Sequence, residues 1–168
     1  LFYSAKFGGA VGILRWICLG TVLQVITWPM GFIIVAKAKQ SIYIACELAW
    51  TVVSLALAWV CVSHFGVTGA GIAFFGSYVF HGFLIYLVVR RMSGFRWSGA
   101  NLRTGALFLP LIAAVFYGFY VLPLFVAVCV GLIAVVASGI YSVRVLANLI
   151  PFDDLPHPIQ RGLALFGY

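Results

Sequence analysis

From Leu107 to Val143 the chain runs for 37 residues without one charged side chain. No soluble surface is built that way, and a helix needs only about 20 apolar residues to cross about 30 Å of hydrocarbon. The run is therefore too long for one crossing and is read as two, folded back at Gly118 to Pro123. A proline tolerated at a helix start and tyrosines 117 and 120 at the lipid interface suit a turn there. The whole chain shares this character, with 65% of its 168 residues hydrophobic and 8% charged. Soluble domains hold about 45–50% and about 25% respectively. A chain of this length has too little interior for so many apolar side chains, so much of its surface faces lipid.

Applied along the sequence, the same length criterion predicts an all-α, polytopic transmembrane helix bundle of about five spans, at about 14–38, 41–64, 67–89, 104–120 and 123–146. Residues 1–148 form this bundle, and 149–168 form a cytoplasmic tail with a short amphipathic helix near Leu163 to Phe166. Ten Lys and Arg face three Asp and Glu, a net charge of +7. The basic residues lie between apolar runs instead of forming a stripe on one face, which argues for topology and against nucleic acid. With five spans, Lys37, Lys39, Arg90, Arg91, Arg96, Arg103, Arg144 and Arg161 share one side, and Lys6 and Arg15 the other. The positive-inside rule puts the larger group in the cytoplasm, so the chain starts outside and ends inside. It begins at Leu1 with no cleavable leader, and together with the outside start this leads us to expect a missing upstream part.

Polar residues inside spans are the candidates for function. Gly20, Gln24, Thr27 and Gly31 recur at helical spacing on one face of the first span, where Pro29 is expected to bend it. That face either packs on a neighbouring helix or lines a cavity. Glu47 is the one acidic residue in any span and shares a face with Thr51, Ser54 and Cys61. An intramembrane carboxylate is a functional candidate by default, the alternative being an interfacial pair with Lys37 or Lys39. His81, on the third span, either relays a proton or donates a hydrogen bond to another helix. Gly66, Gly69, Ala73 and Gly76 or Ser77 read as a helix-packing surface, as do Gly131, Val135, Ser138 and Ser142 on the fifth span. Trp16, Tyr43, Trp59, Trp97, Tyr117 and Tyr120 fall near span ends as interface anchors.

Other chemistry has little support. Cys18, Cys46, Cys61 and Cys129 lack CxxC spacing and sit in apolar runs, so they read as packing residues. Asp153, Asp154 and His157 lie among three prolines and read as a loop, not a metal site. With no GxSxG, HExxH or GxxxxGK, we expect neither an enzyme nor a bound cofactor.

The segments LFYSAKF (1–7), LRWICLGTVLQVITWPMGFIIVAKAK (14–39), ACELAW (45–50) and GVTGAGIAFFGSYVFHGF (66–83), in that order, resemble the C-terminal half of bacterial polysaccharide flippases. These are the O-antigen and enterobacterial-common-antigen translocases of the multidrug/oligosaccharidyl-lipid/polysaccharide exporter superfamily. The resemblance covers about the first half of the chain, and beyond it only the span pattern agrees. It implies the second lobe of a two-lobed, MATE-like transporter in the bacterial inner membrane, completed by a missing N-terminal lobe. The cargo it implies is undecaprenyl-diphosphate-linked oligosaccharide, moved to the periplasmic leaflet by alternating access. Under that resemblance Arg15 would contact the diphosphate, Gln24 and Thr27 would bind sugar hydroxyls, and Glu47 or His81 would couple transport to an ion gradient. Relatives often carry an acidic residue and a lysine where this chain has Thr21 and Gln24. Three other readings fit the span pattern: a non-transporting scaffold subunit of a polysaccharide-assembly complex, a membrane glycosyltransferase or polymerase, and a lipid II or drug exporter of the same superfamily.

Overall fold

A computed structural model describes residues 8–149, which form five helices and no strand. These are α1 (Gly8–Ala36), α2 (Gln40–Phe65), α3 (Thr68–Ser93), α4 (Gly99–Val121) and α5 (Leu124–Leu149). Each is long and apolar enough to cross a membrane. The expected number of spans is found, but their ends differ. Helix α1 starts six residues before the predicted 14, and α4 five residues before 104. Charged side chains had marked those ends, yet backbone hydrogen bonding continues past Arg15 and Arg103 because long basic side chains can bend toward an interface. Both α1 and α4 stay helical through Pro29 and Pro110. The expected tail helix, Asp153, Asp154, His157, Arg161 and Lys6 lie outside the described residues.

Short connections join the helices. Ala38, at φ 54°, turns the chain between α1 and α2, and Gly66, at φ 59°, between α2 and α3. Gly94 ends α3 in the left-handed region at φ 66°, its N–H donating to Arg90 O at 2.9 Å, a conformation that glycine adopts without the Cβ penalty. Ser98 then starts α4, its Oγ accepting from the N–H of Asn101 at 3.2 Å.

The chain divides into two units, 1–102 and 103–168. In the first, α3 is the central helix, packed on both α1 and α2, which touch each other only sparsely. Small residues make this possible. A Cβ on Gly71 would lie 2.8 Å from Ile13 O of α1, and one on Gly69 would collide with the Cys61 carbonyl of α2. Of the small-residue stripe, Gly69, Ala73 and Ser77 are buried, whereas Gly66 lies in the turn with nothing near it, and Gly71, off the stripe, makes the close approach to α1. Toward the other end of the unit, Met30, Ile34, Cys46, Ile85 and Val89 form a buried cluster. There Lys37 Nζ donates to Met92 O at 3.4 Å, so the α1–α2 turn and the end of α3 share one end of the unit.

In the second unit, α4 and α5 meet through large side chains: Phe108 and Tyr141 rings lie 5.5 Å apart, and Phe119 approaches Gly131. These pairs make the hairpin antiparallel and bring Arg103 and Arg144 to one end. Helix α4 has no buried residue among those described, and Phe125 of α5 is 80% exposed. Such all-round apolar exposure is stable where lipid is the solvent.

Candidate functional site

Glu47 lies seven residues into α2, about 10 Å along the helix from its start. On the neighbouring helix, His81 faces it, with Nε2 3.4 Å from Oε1. The contact is longer than the ~2.7–2.9 Å of a charge-assisted hydrogen bond and becomes an ion pair only when the imidazole is protonated. The two partners are buried unequally, the His81 side chain being 9% exposed and that of Glu47 34%. One acceptor face of the carboxylate is therefore open. Lys37, the alternative partner for Glu47, instead donates to Met92 O.

The open side faces a cavity of about 370 Å³ between the three helices of the first unit. Small-molecule sites occupy ~300–1,000 Å³, so its size is that of a ligand pocket. Helix α1 contributes Thr27, Trp28, Gly31, Phe32 and Val35; α2 contributes Tyr43, Glu47 and Trp50; α3 contributes Tyr78, His81 and Ile85. Each set follows helical spacing, such as 43, 47 and 50, or 78, 81 and 85, so one face of each helix converges on one space. Gly82 keeps α3 close to α1, a Cβ there falling 3.0 Å from Thr27 Cγ2.

Polar groups in the spans fall into two sorts. The hydroxyls of Thr21, Thr27, Thr51, Ser54, Ser77 and Ser138 all donate to carbonyls three or four residues back on their own helices, at 2.8–3.1 Å. They are satisfied locally and need no partner across an interface. By contrast, Trp50 Nε1 and both ring nitrogens of His81 are buried without a hydrogen-bond partner among the described residues. A buried donor left unpaired costs about 1–3 kcal/mol. The rings that carry them are neighbours: Trp50 and His81 have centroids 5.3 Å apart, and Tyr78 stands 5.6 Å from Trp50 and 6.1 Å from His81. What the cavity presents is the partly exposed Glu47 carboxylate between aromatic walls, the indole and imidazole nitrogens themselves being closed off from it.

Of the five residues singled out in the sequence, Thr27, Glu47 and His81 line one cavity, whereas Arg15 and Gln24 do not. Gln24 is half-buried one turn before Thr27, whose hydroxyl donates to its carbonyl oxygen at 2.9 Å. Arg15 lies 12 residues before Thr27 on α1, about 18 Å along the helix. Tyr43, near the start of α2, lines the cavity on the α2 face that carries Glu47. Trp59, nearer the other end of α2, is 81% exposed. Trp50 and Tyr78 were not singled out from sequence, although Trp50 follows Glu47 by three residues and Tyr78 precedes His81 by three. Among the described residues no group of three or more His, Cys, Asp or Glu could hold a metal ion. No protein-family model matches the chain, and neither curated proteins nor solved structures provide a match.

Proposed function

We propose that this chain is part of a membrane transporter that moves lipid-linked oligosaccharide across the bacterial inner membrane, as its resemblance to the second lobe of polysaccharide flippases implies. One observation carries the reading: a buried imidazole and a half-exposed carboxylate face a ligand-sized cavity inside a unit made of membrane-crossing helices. Ionisable groups at membrane depth are costly, by about 2.5–3.5 kcal/mol for an acidic side chain at a helix centre, and they mark substrate or ion pathways. A packing module has no need of them. The cargo's polar head would lose hydration on entering hydrocarbon, and the cavity supplies replacement hydrogen bonds while the polyprenyl tail stays in lipid. Glu47 and His81, in contact, form a pair whose protonation alters the polarity of the cavity, which suits coupling to an ion gradient. Basic residues at the Lys37 and Arg90 end make that end the cytoplasmic one.

The test is a strain lacking the full-length protein. Loaded lipid carrier should accumulate on the cytoplasmic leaflet, surface polysaccharide should fall, and the wild-type gene but not Glu47→Gln should restore both. Unchanged export in the deletion strain overturns the proposal. Rescue by every cavity variant supports the scaffold-subunit reading instead.

A further inference from the structure

We infer that the α1–α2–α3 cavity is a binding site for an organic ammonium group, which goes beyond the transporter reading by naming the chemistry the cavity takes, whichever molecule carries it. Charge sets the sign. Among the described residues Glu47 is the one acidic side chain, and it lines the cavity, where no Lys or Arg joins it. The one basic side chain in the lining is His81, whose contact with Oε1 is 3.4 Å long and whose ring nitrogens are closed off from the cavity. The charge a ligand meets is therefore that of the partly exposed carboxylate. A phosphate or carboxylate ligand would add a second negative charge with no cation to offset it, and a neutral ligand would leave the first without a counter-charge at membrane depth.

The walls choose the kind of cation. Trp28 and Phe32 of α1, Tyr43 and Trp50 of α2 and Tyr78 of α3 place aromatic rings around the carboxylate from all three helices. With its Nε1 buried, Trp50 offers the cavity ring carbon and no donor. Such rings attract a cation through their quadrupole, Trp most strongly, and the attraction grows where water is excluded. A metal ion is poorly matched, since hard cations take about six or more oxygen ligands and the lining holds one carboxylate. An alkylated or protonated amine fits both features: its nitrogen sits near Glu47 while its polarised C–H groups lie against the rings. At about 370 Å³ the cavity has room for the amine and its carbon substituents. The amine can belong to an amino sugar of the cargo or to a separate small cation, and the two present the same chemistry to the site.

Binding can be read from tryptophan fluorescence of the full-length protein in lipid nanodiscs, since Trp28 and Trp50 both line the cavity. The probes are tetraethylammonium, methyl glucosaminide with its protonated amine, methyl N-acetylglucosaminide, which keeps the ring without the charge, and methyl glucuronide. At least one of the two ammonium probes should bind about tenfold or more tighter than the N-acetyl glycoside and the glucuronide, and Glu47→Gln should weaken it about tenfold or more. Trp28 is 58% exposed, so Trp28→Leu spares the fold. It should weaken the same probe about threefold or more with Glu47 in place, a second readout if Glu47→Gln does not fold. Binding of the glucosaminide alone assigns the amine to the cargo glycan, and binding of tetraethylammonium alone assigns it to a separate cation. Binding of both shows that the site reads the ammonium group itself, and all three patterns support the inference. No ammonium binding, equal or tighter binding of the neutral or acidic glycoside, or ammonium binding unchanged by Glu47→Gln overturns it. The transporter reading falls on a different result, export that persists in the deletion strain, so either can fail without the other.

Discussion

His81 Nε2 and Glu47 Oε1 meet at 3.4 Å from two different helices, α3 and α2. Because the contact crosses a helix interface, losing either side chain removes the same interaction. Glu47→Ala and His81→Ala should each destabilise the protein, and the double variant should fall short of the sum by about 0.5–3 kcal/mol. Thermal unfolding of the four proteins in one detergent measures this. Additivity would show that the two groups do not act on each other.

Trp50 gives a prediction of opposite sign for stability and function. Its indole N–H is buried and unpaired, so Trp50→Phe removes a cost while retaining most of the ring. The variant should be as stable as wild type or more so by up to about 1 kcal/mol, with a midpoint unchanged or raised by about 2–4 °C. Export should fall nevertheless, because the Trp50 side chain lines the cavity. Losing both together would identify Trp50 as a packing residue only.

Helix approach sets a third expectation. Gly71→Val forces a side chain into the Ile13 carbonyl and Trp16 and should cost about 1–3 kcal/mol, seen as a lower midpoint and poorer accumulation. Gly105→Ala, where nothing lies within 4 Å, should be neutral or stabilising by up to about 1 kcal/mol. Equal effects at the two positions would contradict the α1–α3 packing.

Topology is open to direct labelling. In a variant without the four native cysteines, single cysteines at Ala38 and Gly94 should react with a membrane-impermeant maleimide only after the cell is opened, whereas one at Gly66 should react in intact cells. Reaction of all three from outside, or the reverse pattern, would refute the charge-based orientation.

Much of this architecture was legible in the sequence because the lipid criterion is one of length: about 20 apolar residues between breaks, which Lys37, Gly66, Arg90 and the Gly118–Pro123 turn supplied. Ends were less legible, since Arg15 and Arg103 interrupt the apolar pattern without ending the helix. At the site, Glu47 and His81 stood out individually because ionisable groups are rare in spans. Their contact did not, because the register between α2 and α3 is set by the close approach of Gly69 to Cys61, which helical periodicity on either helix cannot reveal. Trp50 was hidden for a related reason: an aromatic residue in an apolar span looks like packing until its N–H is seen to lack a partner. Gln24 attracted notice by sharing a face with Thr27, but the cavity opens one turn further on, toward Gly31 and Val35.

The most direct test of the account is the rate at which lipid-linked oligosaccharide crosses the membrane of vesicles containing the full-length protein, compared between cavity and non-cavity variants. Glu47→Gln, His81→Ala and Trp50→Phe should each slow translocation by about tenfold or more, equivalent to at least about 1.4 kcal/mol, while Gln24→Ala and the outward-facing Trp59→Phe should stay within about twofold of wild type. Wild-type rates for all three cavity variants would contradict the assignment of transport to the Glu47–His81 cavity.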